Sequence, residues 1–181
     1  MRFTGTNRIR QTTIQPAIVL VGCAMAFGFS PPHALGGCET LFLSPILPVG
    51  DGPQSVAVGD FDGINGPDLA VANSGSDDVS VLLNQGDGTF AVAASYPAGD
   101  GPQSVAVGDF DGVNGPDLAV ANQGSGDVSV LLNQGDGTFA VAVSYPAGDS
   151  PFSVAVGDFD GINGPDLAVA NRLSDGVSVL L

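Results

Sequence analysis

The stretch Gly59–Asn73 has the sequence Gly-Asp-Phe-Asp-Gly-Ile-Asn-Gly-Pro-Asp-Leu-Ala-Val-Ala-Asn and occurs three times in the chain. The copy at 108–122 differs only in having Val113 where the first copy has Ile64, and the copy at 157–171 is identical. Each copy places three aspartates in a nine-residue loop without Lys, Arg or His. Carboxylates this close repel one another by about 1 kcal/mol per pair even in a water-like dielectric. Such a loop is either solvated and flexible or built to hold a cation, and the apolar runs on both sides favour the cation.

Four short strands are predicted in each repeat unit. In the first unit they are Ser55–Gly59, Leu69–Asn73, Val79–Asn84 and Phe90–Tyr96. Each has apolar or β-branched residues at alternating positions and turn residues on both sides, which is the pattern of a half-buried strand. Glycines and an Asp-Gly pair at 84–88 predict a hairpin between the third and fourth strands. Outside the N-terminal segment no useful length of sequence has a helical period, so the sequence predicts an all-β fold.

The repeat period is 49 residues, counted from Gly50. The units are 50–98, 99–147 and 148–181, and the third is truncated at 34 residues. A period of about 40–50 residues with several short strands is typical of β-propeller blades. A parallel β-helix is the alternative, but its turns usually repeat every 20–30 residues or so. Tight hairpins favour four-stranded antiparallel sheets, so we expect about three propeller blades.

The chain is strongly acidic, with a formal net charge of −15 at pH 7. It contains four Arg and no Lys, and three of the Arg lie in the first ten residues. Nucleic acids and anionic membrane surfaces need clustered Lys and Arg, so neither is expected as a partner. Divalent cations and basic partners suit such a field. Scattered acids such as Asp77, Asp78 and Asp175 are interpreted as a coat that keeps the protein soluble.

The N-terminal segment 1–34 has the features of an export signal. Arginines at positions 2, 8 and 10 precede an uncharged apolar run at 17–29. This run of thirteen residues is shorter than the roughly 20 residues that cross a bilayer. We therefore expect export to the cell surface or beyond, with an uncleaved single-pass anchor as the alternative.

Two details of the exported form stay open at this point. Small residues indicate cleavage after Gly28 or after Ala34, and the stretches 20–23 and 35–38 resemble lipoprotein lipidation motifs. Residues 35–49 are interpreted as a linker. There is no Cys from Glu39 onward, so the repeats have no disulfide framework.

The segments Gly59–Gly63, Pro67–Val71, Val79–Asn84 and Gly86–Phe90 together resemble the FG-GAP/VCBS repeat. This repeat is the blade of the integrin α-chain propeller and of many bacterial surface proteins. The resemblance covers residues 50–181 and recurs in all three units. It implies a β-propeller, usually of seven blades, with calcium in the loop that joins two strands of a blade, in proteins that act outside the cell.

In the family the loop ligands are acidic or amide side chains at the first, third, fifth and ninth places, with a backbone carbonyl at the seventh. The resemblance implies calcium ligation by the following residues, loop by loop: Asp60, Asp62, Gly66 and Asp68; Asp109, Asp111, Gly115 and Asp117; Asp158, Asp160, Gly164 and Asp166. The fifth place departs from the pattern, because it is aliphatic in every copy: Ile64, Val113 and Ile162. Calcium takes 6–8 oxygens and its affinity follows the number of charged ligands, so we expect a dissociation constant of about 10⁻⁴–10⁻³ M.

Alternatives remain for two groups of loop residues. The asparagine after the fifth place (Asn65, Asn114 and Asn163) either supplies an amide oxygen or takes the left-handed backbone that Asn tolerates. Asp60 and Asp68 either ligate the ion or accept backbone N–H groups across the loop. Strands on both sides of the loop exclude an EF-hand, and zinc is not expected without Cys or His.

Catalysis is not expected. The only His is His33, and the repeats contain neither Lys nor Cys, so a serine nucleophile would lack a base. The sequence predicts a secreted or cell-surface calcium-binding module for adhesion or recognition of an extracellular protein or carbohydrate. The alternatives are a purely structural repeat scaffold and a fragment of a larger extracellular propeller protein. Carbohydrate binding has little support, because the repeats contain no Trp and few aromatic residues to stack on sugars.

Three blades raise the question of closure, because propellers have about 4–8 blades. The segment Leu41–Leu47 aligns with the fourth strand of a unit and is predicted to serve as the missing strand of the third. Two exposed sheet edges invite pairing. Either two chains form a homodimer that completes a six-bladed ring, or the chain is a fragment of a longer gene; the near-identical units favour the fragment.

Overall fold

The computed structural model describes residues 46–162 and 164–181. These residues form eleven β-strands and no helix, which confirms the predicted all-β fold. The strands are β1 (Pro53–Gly59), β2 (Asp68–Asn73), β3 (Asp78–Leu82), β4 (Ala94–Pro97), β5 (Pro102–Gly108), β6 (Asp117–Asn122), β7 (Asp127–Leu131), β8 (Val143–Pro146), β9 (Pro151–Gly157), β10 (Asp166–Asn171) and β11 (Gly176–Leu180).

The strands make three antiparallel sheets, one for each repeat unit, and we number them as blades. Blade 1 has the strand order β1-β2-β3-β4, blade 2 has β5-β6-β7-β8, and blade 3 has β9-β10-β11. The register is the same in each blade: Val56 pairs with Val71, Val105 with Val120, and Val154 with Val169. The 49-residue sequence repeat is therefore also the structural repeat, and four-stranded blades are confirmed for the first two units.

The boundaries of the third and fourth predicted strands were wrong. The third strand ends at Leu82 instead of Asn84, and the fourth begins at Ala94 instead of Phe90. Between them Asn84 and Phe90 form only an isolated bridge. The reason is local: Gly86 N donates to Asn84 Oδ1 at 2.8 Å and Thr89 N donates to Asp87 Oδ1 at 2.9 Å. Such side-chain bonds to nearby backbone compete with a regular ladder.

The blades stack face to face through their innermost strands. Val105 N of β5 donates to Ser55 Oγ of β1 at 3.3 Å, and Val154 N of β9 donates to Ser104 Oγ of β5 at 3.3 Å. One apolar core lies between blades 1 and 2 and a second lies between blades 2 and 3. All six residues of β6 are buried, since both faces of blade 2 are covered. The small Ala side chains that alternate with Val in the strands permit this close packing.

Several predictions concern the part of the chain before the blades. The export segment 1–34 lies outside the described residues, and so does most of the predicted closing strand Leu41–Leu47, of which only Ile46 and Leu47 are described and belong to no strand. Among the residues that the structure describes, no helix has the length and apolar character needed to span a membrane.

Candidate metal centre

Each predicted acidic loop joins the first two strands of its blade. The loop of blade 1 begins after Gly59, the last residue of β1, and ends at Asp68, the first residue of β2. One carboxylate oxygen from each of Asp60, Asp62 and Asp68 lies within 4.8 Å of the others, and the equivalent aspartates of blades 2 and 3 are grouped in the same way. Oxygens that bind calcium at about 2.4 Å are at most about 4.8 Å apart, so the three aspartates of each loop fit one ion.

The ninth-place aspartate is held by two backbone N–H groups. Asp68 is completely buried; its Oδ2 accepts from Phe61 N and its Oδ1 from Asn84 N, both at 2.7 Å. Asp117 makes the same two bonds in blade 2, to Phe110 N and Asn133 N at 2.8 Å. These bonds fix the carboxylate between the loop and the hairpin of its blade, while each oxygen keeps a further lone pair for a metal ion.

The first and third aspartates are more exposed and close short turns. Asp60 Oδ1 accepts from Gly63 N at 2.8 Å, and Asp62 Oδ1 accepts from Ile64 N at 2.8 Å. Asp60 and Asp68 therefore accept backbone N–H groups, as the alternative to ligation described. It does not exclude ligation, since each turn bond engages one carboxylate oxygen.

The fifth and sixth places contribute backbone shape. Ile64 has 58% of its surface exposed and offers no side-chain oxygen. Asn65 and Asn114 have φ angles of 62° and 63°, so both take the left-handed backbone that was one of the two predicted alternatives. Asn163 lies outside the described residues. The amide Nδ2 of Asn65 is 3.5 Å from the carbonyl oxygen of Asn84 in the hairpin.

The seventh-place glycines occupy a conformation that side chains rarely take. Gly66, Gly115 and Gly164 have φ angles of 91°, 92° and 111°. A residue with a Cβ would be strained there, which explains the glycine in every copy. Ligation through their carbonyls stays a prediction.

The electrostatics of the loop are clearest at Asp117. Burial raises the pKa of this carboxyl group, the N–H groups of Asn133 and Phe110 lower the pKa, and the negative charges of Asp111 and Asp109 raise it again. The net direction of the pKa is upward, so ionisation of Asp117 costs more than ionisation of a solvated aspartate. A bound cation would remove the mutual repulsion of the three carboxylates.

A packing contact explains the invariant Gly-Asp-Phe at the start of the loop. A Cβ built on Gly59 would lie 2.6 Å from Cε1 of Phe61, so only glycine leaves room for the ring. The ring of Phe61 is buried and meets that of Phe139 edge to face, with centroids 5.4 Å apart. Gly137 N and Asn133 Nδ2, both from the hairpin of blade 2, donate to Phe61 O at 3.0 Å. The acidic loop of blade 1 is thus fixed by the next blade.

Asp77 and Asp78 make specific hydrogen bonds in addition to the surface charge that the sequence predicts. Asp78 Oδ1 accepts from Asn73 Nδ2 at 2.7 Å and from Ser76 Oγ at 2.9 Å, while its Oδ2 accepts from Ser95 Oγ. Asp77 has a positive φ of 55°, and its Oδ1 accepts from Gly101 N of the next unit at 2.8 Å. The sequence contained an indication of these hydrogen bonds, because Asn, Ser and Asp recur together around this turn in the first two units.

A family model identifies the repeats. The model described as FG-GAP-like repeat matches residues 65–112 and 114–177, together more than half of the chain. The chain belongs to this family. The matched ranges run from the acidic loop of blade 1 to β11 of blade 3, so the match includes parts of all three blades.

Solved structures give more distant likenesses. The structure of BBS1N in complex with ARL6DN, soaked with mercury, has 19% sequence identity and a TM-score of 0.46, and the alignment covers 72% of this FG-GAP-like chain and 40% of the other. The Tc holotoxin pore of Photorhabdus luminescens has 20% identity and a TM-score of 0.46, with 74% of this chain and 7% of the other covered. The chain thus spans less than half the length of either structure. No curated protein matches the sequence.

Proposed function

We propose that the chain is an exported calcium-binding module of FG-GAP-like repeats that serves adhesion or ligand recognition and has no catalytic activity. The observation that carries the proposal is the grouping of three carboxylates in the same loop of all three blades. A geometry repeated three times indicates a common ligand of every loop, whereas a catalytic centre needs one distinct constellation of residues.

The donor set favours calcium over other metals. All three side-chain donors are carboxylates, which are hard oxygen ligands, and the loops contain none of the Cys or His that zinc prefers. Magnesium demands near-ideal octahedral geometry at short distances, while calcium accepts irregular sets of 6–8 oxygens. With three carboxylates and an aliphatic fifth place, affinity falls in the extracellular class of about 10⁻⁴–10⁻³ M, which agrees with the predicted export.

The proposed recognition role rests on the charge and on the family. Outside the first ten residues Arg172 is the only Arg and there is no Lys, so the field of the repeats attracts basic or cationic partners. The resemblance to extracellular propeller repeats points to a protein or carbohydrate ligand at the cell surface or in the medium.

A purely structural scaffold is the second candidate. It is favoured by the bonds of Asp68 and Asp117, since both oxygens of each carboxylate accept backbone N–H groups. In this reading the acids rigidify the blades without any ion.

Calorimetric titration with Ca²⁺ and a melting curve in its presence distinguish the two. We expect binding at about 10⁻⁴–10⁻³ M and, with free calcium at 100 times the dissociation constant, a stabilisation of about 2.7 kcal/mol per site. The triple variant Asp60→Asn, Asp109→Asn, Asp158→Asn keeps an oxygen for the turn bond but should lose the heat of binding and the thermal shift.

The matched control removes the same charge elsewhere. Asp51, Asp100 and Asp149 are exposed and occupy equivalent positions in the three units, so their joint substitution by Asn should leave calcium binding unchanged. Absence of heat and of any thermal shift in the unsubstituted chain would support the scaffold instead.

A further inference from the structure

The outer face of blade 3 is apolar and exposed, whereas the residues at the equivalent positions of blade 1 are buried. Val79 and Val81 of β3 pack against blade 2 with 0% and 2% of their surface exposed. Their equivalents in blade 3, Val177 and Val179, are 68% and 53% exposed. We define the trailing face as the exposed blade 3 residues whose blade 1 equivalents lie in or against the core between blades 1 and 2: Ala155, Phe159, Ala170, Val177, Val179 and Leu181.

At the opposite end of the array only part of the complementary surface is exposed. Val71 and Leu82, the blade 1 equivalents of the core residues Val120 and Leu131, are 9% and 2% exposed. Val105 of β5 is 6% exposed because it packs between blades 1 and 2, and Val107 lies against the same core. Their equivalents in β1, Val56 and Val58, are 61% and 59% exposed. We define Val56 and Val58 as the leading edge.

We propose that these two surfaces bind each other between two copies of the chain, with the leading edge of one copy seated on the trailing face of the other. The contact repeats one that the chain already makes twice, between blades 1 and 2 and between blades 2 and 3. The large apolar side chains of the two surfaces are each more than half exposed in the single chain. Burial of their apolar surface between two copies drives association.

The polar bonds of the internal contacts can also be repeated. Each internal contact has a Val N–H that donates to a Ser Oγ of the preceding blade, from Val105 to Ser55 and from Val154 to Ser104. At the new contact Ser153, which is exposed, stands where Ser55 and Ser104 stand, and Val56 of the second copy supplies the N–H. The hairpin of the second copy carries Asn84 and Gly88, the equivalents of the two donors that bind Phe61 O, and their acceptor would be Phe159 O.

The complementarity of the two ends favours a second copy over an unrelated partner. A contact between two different surfaces of the same chain is head-to-tail, and it closes into a ring when the rotation permits. Two copies of the three blades that the structure describes make six blades, within the range of about 4–8 found in closed propellers. In such a ring each copy uses both of its surfaces.

Sedimentation velocity of the purified chain at tens of micromolar tests the proposal. We expect a species with twice the mass of one chain. Val56→Asp breaks only the leading edge and Val177→Asp breaks only the trailing face, and each should weaken self-association by about a hundredfold or more, because an unpaired carboxylate would be buried. Val141→Asp is the control, since Val141 is 93% exposed, belongs to neither surface and adds the same charge.

Mixing the two variants distinguishes head-to-tail contact from the alternatives. The mixture restores one intact contact, from Val56 of the Val177→Asp chain to Val177 of the Val56→Asp chain, so a dimer should reappear. Circular dichroism should show unchanged β-structure in each variant, because both valines are exposed in the single chain. A monomer at every concentration, self-association of either variant at the level of the control, or no dimer in the mixture would overturn the proposal.

Discussion

The acidic stretches of blades 1 and 3 are identical in sequence, yet their surroundings differ. Phe61 is 1% exposed and Phe159 is 54% exposed. The local bonds are nevertheless the same: Phe61 N donates to Asp68 Oδ2 at 2.7 Å, and Phe159 N donates to Asp166 Oδ2 at 2.8 Å. The comparison shows that the loop takes its conformation from its own residues, whereas its burial depends on the neighbouring blade.

In blade 2 the burial of the loop phenylalanine is intermediate, and the comparison shows which part of the neighbouring blade covers the loop. Phe61 and Tyr96 both contact the ring of Phe139, which belongs to the hairpin of blade 2. The equivalent residues Phe110 and Tyr145 line a cavity of about 430 Å³ beside blade 3. Phe110 is accordingly only partly buried. The hairpin, more than the sheet, completes the cover of an acidic loop.

The largest predicted effect comes from removing the phenylalanine ring at the two ends. Phe61→Ala should lower the free energy of unfolding by about 3–5 kcal/mol, because it leaves a cavity in the core. Phe159→Ala should lower it by about 0.5 kcal/mol or less, as for other exposed positions. Urea unfolding followed by circular dichroism measures both.

Both substitutions should be made in the Val177→Asp background, so that the proposed head-to-tail contact does not bury Phe159. Equal losses of stability for the two variants would contradict the account, since identical residues would then have identical environments.

The next prediction compares the ninth-place aspartates of blades 1 and 3, of which Asp68 also accepts a hydrogen bond from the hairpin of its blade. Asp68→Ala leaves two backbone N–H groups without an acceptor, and a buried unsatisfied donor costs about 1–3 kcal/mol, so we expect a loss of about 3 kcal/mol. Asp166→Ala removes the bond to Phe159 N, and we expect a loss of about 1.5 kcal/mol. The unfolding free energies are measured in EDTA, so that metal binding does not contribute; a larger loss for Asp166→Ala would reverse the predicted order.

A smaller effect is predicted for the hairpin asparagines. Asn133 Nδ2 donates to Phe61 O and to Pro116 O, both at 3.0 Å, while Asn84 Nδ2 donates to Pro67 O at 3.1 Å. Asn133→Ala should therefore cost about 1 kcal/mol more than Asn84→Ala, the worth of one hydrogen bond between blades. Thermal unfolding of the two variants in the Val177→Asp background, in which Asn84 has no contact with a second copy, tests the difference. Equal melting temperatures there would show that the bond to Phe61 O contributes nothing.

The smallest predicted effect is on the pKa values of one aspartate in each of the hairpins of blades 1 and 2. The hydroxyl of Thr89 lowers the pKa of Asp87 and that of Thr138 lowers the pKa of Asp136, in each case helped by the threonine N–H. A carboxyl group whose pKa is lowered in the folded state stabilises the protein at pH values above its ordinary, unfolded-state pKa. This stabilisation is lost as the pH falls through the folded-state pKa. Thr89→Val and Thr138→Val should raise the two pKa values towards the ordinary value. Carboxyl-carbon NMR titration measures them, and an unchanged pKa would contradict the role of the hydroxyl.

Much of the fold followed from short-range patterns. Alternating apolar residues in β1 and β2 and a fixed period of 49 residues were enough to predict antiparallel blades, because each strand pairs with its neighbour in sequence. The acidic triads were also predictable, since the two strands bring Asp60, Asp62 and Asp68 to the ends of one short loop.

What could not be predicted depends on contacts between units. Identical sequence at Phe61 and Phe159 gives no sign of their different burial. The bond from Gly101 N to Asp77 Oδ1 joins residues 24 positions apart in successive units. The strand ends were misplaced near Asn84 for another reason: side-chain bonds of Asn84 and Asp87 to the nearby backbone replaced the ladder that alternation predicts.

We propose that the three acidic loops hold calcium, and anomalous diffraction from crystals grown in millimolar calcium is the direct test. We expect one peak in each loop, within 2.3–2.6 Å of oxygens from all three aspartates. Water alone in every loop, with the aspartates keeping only their backbone hydrogen bonds, would contradict it.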